Sequence, residues 1–313
     1  MEKIFIVVVC GATASGKTRL AIDLAKRFDG EIVSADSMQI YKKLDIASAK
    51  PTEEEKEGIP HHLMDFLEPT TPFSVADYLP LARQAIADIH SRGKLPIICG
   101  GTGLYINSLV DNIEFDDTGS DPVFREEMKK LAEEHGNGAV LEKLREIDPE
   151  SAERLHENNL SRVIRALEVY HISGKTMTQV QAESRLRPSP YEACMMMIDY
   201  SDRDVLYERI DRRVDIMIES GLLDEARDFF THDDYVTAAQ AIGYKELKAY
   251  FDGEAELSEC VENLKRETRR YAKRQLTWFK KDIRINRISS SNSTNYAEIL
   301  ENAEKLVKKY SIL

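Results

Sequence analysis

The sequence predicts an α/β protein in which a phosphate-loop parallel sheet is interrupted by an inserted all-helical domain. Three observations carry this. The stretch Gly11-Ala-Thr-Ala-Ser-Gly16-Lys17-Thr18 fits G-x-x-x-x-G-K-[ST] directly after the apolar run Ile4–Cys10. Short apolar runs then alternate with helical patterns up to about residue 112. Between Val123 and Glu183 the pattern becomes helical with no strand-like run, and a buried-strand pattern returns at Ala193–Ile198. The expected division is a core of residues 1–112 and 191–313 with a helical insertion at 113–190.

Taken in order, Ile4–Cys10 is unbroken in apolar character, as a parallel strand covered on both faces must be. Gly11, Ala12, Thr13, Ala14, Ser15, Gly16, Lys17 and Thr18 form the loop that curls backbone N–H groups around a phosphate. Lys17 adds a full charge, and the Thr18 hydroxyl can hold Mg²⁺. Arg19–Phe28 reads as the following helix, Glu31–Ala35 as a second strand, Ser74–Ser91 as a helix and Leu95–Cys99 as a third strand. Asp111–Pro122, acidic and containing Gly119, reads as a linker, and Arg187-Pro-Ser-Pro190 closes the insertion. Ser201-Asp-Arg-Asp204 resembles a capping box opening a helix through Leu206, Ile210, Val214 and Met217, ended by Gly221. A second long helix is expected from about Leu257 to Lys281. Leu264, Thr268, Tyr271, Gln275 and Phe279 share one face of it, and Arg266, Arg270 and Arg274 another. Ser289–Thr294 reads as a polar loop before a terminal amphipathic helix.

Composition narrows the functions. A net charge of −12 excludes a protein that coats nucleic acid indiscriminately. Residues 263–287 nevertheless hold ten Lys or Arg against Glu267 and Asp282, a local +8 that leaves −20 on the remainder. A basic patch on an acidic body suits one placed polyanion. Cys10, Cys99, Cys194 and Cys260 are too scattered for a zinc site or a disulfide framework and read as buried thiols. His61 and His62 precede an apolar Leu-Met and read as structural. The N-terminal run lacks the flanks of a signal peptide, and no apolar stretch approaches bilayer length. A cytoplasmic monomer without membrane contact is expected.

The loop alone leaves its ligand open. A nucleotide kinase binding ATP is one reading, and a switch or RNA-binding module another. Against the kinase, the end of Leu95–Cys99 carries Gly100-Gly101-Thr102 where NTPases often place an aspartate for Mg²⁺. Against a GTPase-like switch, there is no Asn-Lys-x-Asp run. Asp36, Thr102 and Arg213 are the remaining polar candidates, the first two at strand ends on the loop's side of the sheet. On spacing alone, Asp36 also fits a turn, and Arg213 also fits a surface pair with Asp211 or Glu219.

The chain then resembles bacterial tRNA dimethylallyltransferases. The resemblance rests on Gly11-x-Thr13-Ala-Ser-Gly-Lys-Thr18, Ser34-Ala-Asp-Ser-Met-Gln-Ile-Tyr41, Asp45-Ile-Ala-Ser-Ala-Lys-Pro51 and Pro60-His-His-Leu-Met-Asp65. It continues through Gly100-Gly-Thr-Gly-Leu-Tyr105, Arg162-x-x-Arg165-Ala-Leu-Glu, Ala241-Ile-Gly-Tyr-Lys245 and Ala272-Lys-Arg-Gln-Leu-Thr-Trp278. Ser48 stands where the family usually has Thr, and no Cys/His finger follows the core as it does in eukaryotic relatives.

The resemblance implies transfer of a dimethylallyl group from dimethylallyl diphosphate to the exocyclic amine of the adenine 3′ of the anticodon. The loop would grip the prenyl diphosphate, with Mg²⁺ on Thr18. Asp36 would take the amine proton, Arg213 would face the leaving group, and Thr102 would position base or phosphate. The adenine would be bound flipped out. The anticodon stem-loop would meet Asp36, Ser37, Met38, Gln39, Thr102, Ser161, Arg162, Arg165, Gln240, Gly243, Lys245, Lys273, Arg274 and Trp278. The insertion is expected to clamp the anticodon arm, and the arginine stripe to touch RNA while lying outside the prenyl pocket.

Overall fold

A computed structural model describes residues 3–114, 119–184, 186–232, 234–235, 241–291 and 295–311. It divides into two units, residues 1–110 with 190–313 and residues 111–189. The first is built on a six-stranded sheet in the order β3-β2-β4-β1-β5-β6. Its strands are β1 (Ile4–Cys10), β2 (Gly30–Ser34), β3 (His61–His62), β4 (Leu95–Gly100), β5 (Tyr191–Tyr200) and β6 (Asn286–Ser290). Every neighbouring pair is parallel. β1 lies between β4 and β5, with Val7 opposite Ile97 on one side and Cys194 on the other.

Alternation along β1 sorts its side chains into two cores. Ile6, Val8 and Cys10 pack with Tyr78, Ile86 and Ile89 of α3 (Val75–Ser91) and with Ile106 of α4 (Gly103–Val110). Val7 and Val9 pack with Leu20 and Leu24 of α1 (Lys17–Arg27) and with Ala303 and Val307 of α14 (Tyr296–Tyr310). Both faces are covered, which is why the strand needs no polar positions. A third core joins Tyr41 and Leu44 to α10 (Arg203–Glu219), α11 (Leu222–Phe229) and α13 (Leu257–Phe279) through Val214, Leu222 and Leu264; α2 (Glu53–Lys56) and α12 (Lys248–Phe251) are single turns. Among the described residues no helix is long and apolar enough to cross a membrane.

Several expectations shift. Ser289 and Ser290 belong to β6, not to a loop; Ile288 and Ser290 point inward, but Ile288 is the one apolar residue of the edge strand, a pattern too short to read. Positions 292–294 of that expected loop lie outside the described residues. The α10 cap is Asp202, whose carboxylate accepts from Asp204 N–H, because Ser201 is held to β6 by bonds to the Ser290 carbonyl. Pro122 is the first residue of α5 (Pro122–His135) rather than linker, where its missing N–H costs nothing. His61 and His62 pair as strand β3 beside β2, and their rings bond the Ile59 carbonyl and Glu31. Arg92 and His62 together hold the buried Glu31 carboxyl down to about 2. All four cysteines are buried and free.

The second unit is helical, with α5 (Pro122–His135), α6 (Asn137–Ile147), α7 (Pro149–Arg154), α8 (Leu160–Ser173) and α9 (Met177–Ser184) around Val140, Leu144, Val163 and Leu167. Its polar centre is Glu168, which is fully buried. Arg125 grips both carboxylate oxygens at 2.8 and 2.9 Å, Arg165 donates at 2.6 Å, and Asp121 N–H at 2.8 Å. Burial alone would raise this carboxyl, but these donors hold it near 2. Glu168→Ala removes the common acceptor and is expected to destabilise the insertion by about 3 kcal/mol, the low end for a broken buried pair because both arginines are part-exposed. Urea unfolding of the full chain followed by hydrogen exchange in residues 119–184 checks this.

Candidate active site

The phosphate loop is shaped by left-handed backbone at Gly16 (φ 92°), which caps α1, and at Ala14 (φ 58°), which is strained for an alanine. The loop carbonyls are tied back. Tyr200 OH donates to Ser15 O at 3.1 Å and Arg209 Nε to Ala14 O at 2.9 Å. The first turn of α1 carries no acidic residue, so its positive end is left for an anion. Lys17 lies 3.4 Å from the Ala12 carbonyl. Burial lowers its pKa, and Asp36 opposes that shift.

A cavity of about 570 Å³ opens on this loop, lined by Lys17, Thr18, Arg209, Arg212 and Arg213 with Glu55 as the acidic member. Arg213 does not pair with Asp211, which binds Arg269 instead. It reaches over the loop, 3.4 Å from Thr13 Oγ1 and 3.5 Å from Ala49 O. Burial lowers its pKa, and Asp36 and Glu55 work against that; a guanidinium stays charged regardless.

A second cavity of about 280 Å³ holds Asp36, Ser37, Met38, Tyr271 and Arg274, with Val214, Met217 and Ile242 as apolar wall. Lys17, Thr18, Ala49 and Arg213 line both cavities, so a cation-rich chamber and a carboxylate-bearing one meet there. One Asp36 oxygen accepts Met38 N–H at 3.0 Å, which orients the carboxylate through a local turn. Thr102 holds that turn: its hydroxyl accepts Ser37 N–H at 3.0 Å and donates to Ser37 Oγ at 3.3 Å. Gln39 is directed to the roof, donating to the carbonyls of Ser48 and Ala49.

The other sequence-derived positions separate. Arg274 lines the second cavity and stacks over Tyr271, so the expected arginine stripe is not one surface lying outside the pocket. Arg270 pairs with Glu267, and Arg266 bonds Asn263. Helical spacing put the three arginines on one face, but the cavity opens beside only the last of them. Lys273 is exposed, and Trp278 is exposed on one side while its Nε1 donates to Asn107 at 3.3 Å. Gly243 and Lys245 line the second cavity, with the Gly243 N–H held by Glu246. Gln240 lies outside the described residues. In the insertion, Ser161, Arg162 and Arg165 line a cavity of about 360 Å³ with Arg154, but the Arg165 guanidinium is already bound by Glu168 and the Gly119 carbonyl.

Sequence reading missed four residues. Arg209 stands one turn before Arg213 and shares its face, a spacing that could have revealed it. Tyr271 and Gln275 enter the sequence reading only as members of one helix face, although polar atoms on an inward face signal a buried bond. Glu225 left no signal: its carboxylate accepts the N–H groups of Asp45, Ile46 and Ala47 and the Tyr244 hydroxyl at 2.8–2.9 Å, fixing the loop that roofs the site.

Comparison with known proteins gives a uniform result. Residues 39–282 match the family model described as IPP transferase, and residues 4–65 that described as isopentenyl transferase. A tRNA dimethylallyltransferase of Caldanaerobacter subterraneus subsp. tengcongensis is 52% identical over 300 residues, 95% of each chain. One from Bacillus subtilis is 52% identical over 281 residues, covering 90% of this chain and 89% of its own. The solved tRNA isopentenylpyrophosphate transferase of Bacillus halodurans superposes with a TM-score of 0.73 at 41% identity over 99% of both chains. A eukaryotic dimethylallyltransferase acting on tRNA gives a TM-score of 0.81 at 29% identity, over 99% of this chain and 79% of that one.

Proposed function

The chain belongs to the tRNA dimethylallyltransferase (IPP transferase) family, and we propose that its two joined cavities divide the reaction between them. The reaction moves a dimethylallyl group from dimethylallyl diphosphate to N6 of the adenine 3′ of the anticodon and releases diphosphate. The diphosphate occupies the larger chamber, against the loop amides, Lys17, Arg209 and Arg213. The allylic carbon lies where the chambers meet. The flipped adenine enters the smaller chamber with its amine toward Asp36. As the N6–C bond forms and the C–O bond breaks, the free Asp36 oxygen takes the N6 proton, and the electron pair leaves with the diphosphate. Lys17 and Arg213 stabilise that departing charge. The observation that carries this reading is the shared wall of Lys17, Thr18 and Arg213 between a cationic chamber and Asp36.

Mg²⁺ fits this donor set as an ion held by substrate: Thr18 offers one hydroxyl, and among the described residues no cluster of three His, Cys, Asp or Glu exists to cage a metal. Thr18 would hold it together with diphosphate oxygens, where it would neutralise charge on the leaving group. A tRNA substrate supports a cytoplasmic enzyme, and we propose that it acts as a monomer.

Incubating the pure chain with labelled dimethylallyl diphosphate and unmodified tRNA is expected to put label in the RNA. Phosphoryl transfer from ATP to a small acceptor, without label in RNA, would favour the kinase reading instead.

RNA contact is assigned to the outer face of α13, where Lys273 and Arg270 are exposed. Replacing both with Ala is expected to weaken tRNA binding and flatten its salt dependence by about one logarithmic unit per lost phosphate contact. Use of dimethylallyl diphosphate should be unchanged, whereas Arg274→Ala should affect both substrates. Filter binding across a salt series separates the two; unchanged slopes would mark this face as merely solvated.

A further inference from the structure

Gln275 is a buried amide on the inward face of α13. Both ends of it bond backbone. Its Oε1 accepts Thr13 N–H at 2.8 Å, and its Nε2 donates to the Gly101 carbonyl at 2.9 Å. Thr13 belongs to the phosphate loop. Gly101 precedes Thr102, which holds the Asp36 turn through Ser37. The approach is close: a methyl group on Gly101 would stand 2.3 Å from Gln275 Nε2, and one on Gly103 2.3 Å from Trp278 Cδ1. Gln275 and Trp278, three residues apart on one helical face, therefore seat α13 on the 101–103 turn. Tyr271, one turn earlier, lines the Asp36 cavity.

We infer that Gln275 is a positioning residue that fixes the distance between the phosphate loop and the Asp36 turn, and so the path along which the allylic carbon meets the amine. The inference rests on the functional reading above, in which the leaving group sits on one of these segments and the proton acceptor on the other. They follow different strands, β1 and β2, and the amide spans from the loop after β1 to the turn after β4 that clips Asp36 in place. Gln275 also lines the Asp36 cavity and bonds the Tyr271 side chain, but the bridge between the two segments runs through Thr13 and Gly101. Its neighbours Lys273 and Arg274 are exposed on the same turns of α13, so RNA seated on that helix bears on the same bridge.

The test uses the full chain with Gln275→Met, which keeps the length and removes both bonds, and Gln275→Glu, which keeps the acceptor for Thr13 and removes the donor to Gly101. Thermal unfolding, tRNA affinity and single-turnover transfer with both substrates saturating are measured for each. The Met variant is expected to stay folded and bind tRNA within about twofold of wild type, while transferring about 10- to 100-fold more slowly, the cost of a small misplacement of reacting groups. The Glu variant, whose carboxylate would oppose the Gly101 carbonyl, should be at least as slow. A wild-type transfer rate in the folded Met variant overturns the inference. So does a loss of tRNA affinity equal to the loss of rate, which would make Gln275 an RNA contact. Should the Met variant not fold, the Glu variant decides on the same terms. Failure of the wild-type chain to label tRNA would instead strike the functional reading, whatever Gln275 does.

Discussion

Asp36→Ala is expected to lower single-turnover transfer to tRNA by about 10²–10⁴-fold, the range for loss of a positioned general base. Dimethylallyl diphosphate binding should persist, because the loop amides and Lys17 are untouched. The fold should persist as well: Asp36 is only part-buried, and the bond it supplies within the fold is the one to Met38 N–H. Asp36→Asn sharpens the test, since an amide oxygen can still accept Met38 N–H and preserve the turn but cannot take a proton. Equal losses in both variants would identify proton removal as the missing function. Near wild-type chemistry in the Asn variant would assign Asp36 to orientation alone. Rapid-quench single turnovers with saturating substrates make the measurement independent of tRNA release.

The second large effect is expected at the phosphate loop. Lys17→Ala removes a full charge from the wall shared by both chambers and should cost about 10²–10³ in transfer rate, the scale for losing one donor aimed at developing charge. Binding of dimethylallyl diphosphate should weaken too, because the charge also faces the ground-state diphosphate. The sign of the pH dependence follows from burial, which lowers the Lys17 pKa, opposed in part by Asp36. The ammonium is present at lower pH and lost as pH rises, at a lower pH than for an exposed lysine. Affinity of the free enzyme for dimethylallyl diphosphate should therefore fall on the alkaline side, and Lys17→Ala should abolish that limb. Calorimetric titration between pH 6 and 10 checks both. A limb that survives in the variant would belong to another group.

Much of the core was legible because its signals are local. Ile4–Cys10 is unbroken because two cores cover it, and the glycines at 11 and 16 mark a loop whose conformation few other residues adopt. What escaped depends on long-range contact. Glu225 serves the roof by bonding residues nearly 180 positions earlier, and Gln275 meets a loop 262 positions away. No periodicity records such partners. The arginines of α13 show the same limit: 3.6-residue spacing placed Arg266, Arg270 and Arg274 together, but which of them borders a cavity is decided by the elements packed alongside. β6 escaped because an edge strand whose one apolar residue is Ile288 lacks the apolar run by which interior strands are read.

The placement of β1 between β4 and β5 has a consequence for biosynthesis. Val7 pairs with Ile97 on one side but with Cys194 on the other. As the chain is made at roughly 5–20 residues per second, the first half of the sheet can assemble while one edge of its central strand has no partner. That edge waits through synthesis of the whole helical insertion, whose own contacts are local enough to fold first. An unpaired, apolar strand edge is a template for association between nascent chains. Slower translation across residues 111–189 should thus lower the yield of native protein more than an equal delay once β5 has left the ribosome and paired with β1.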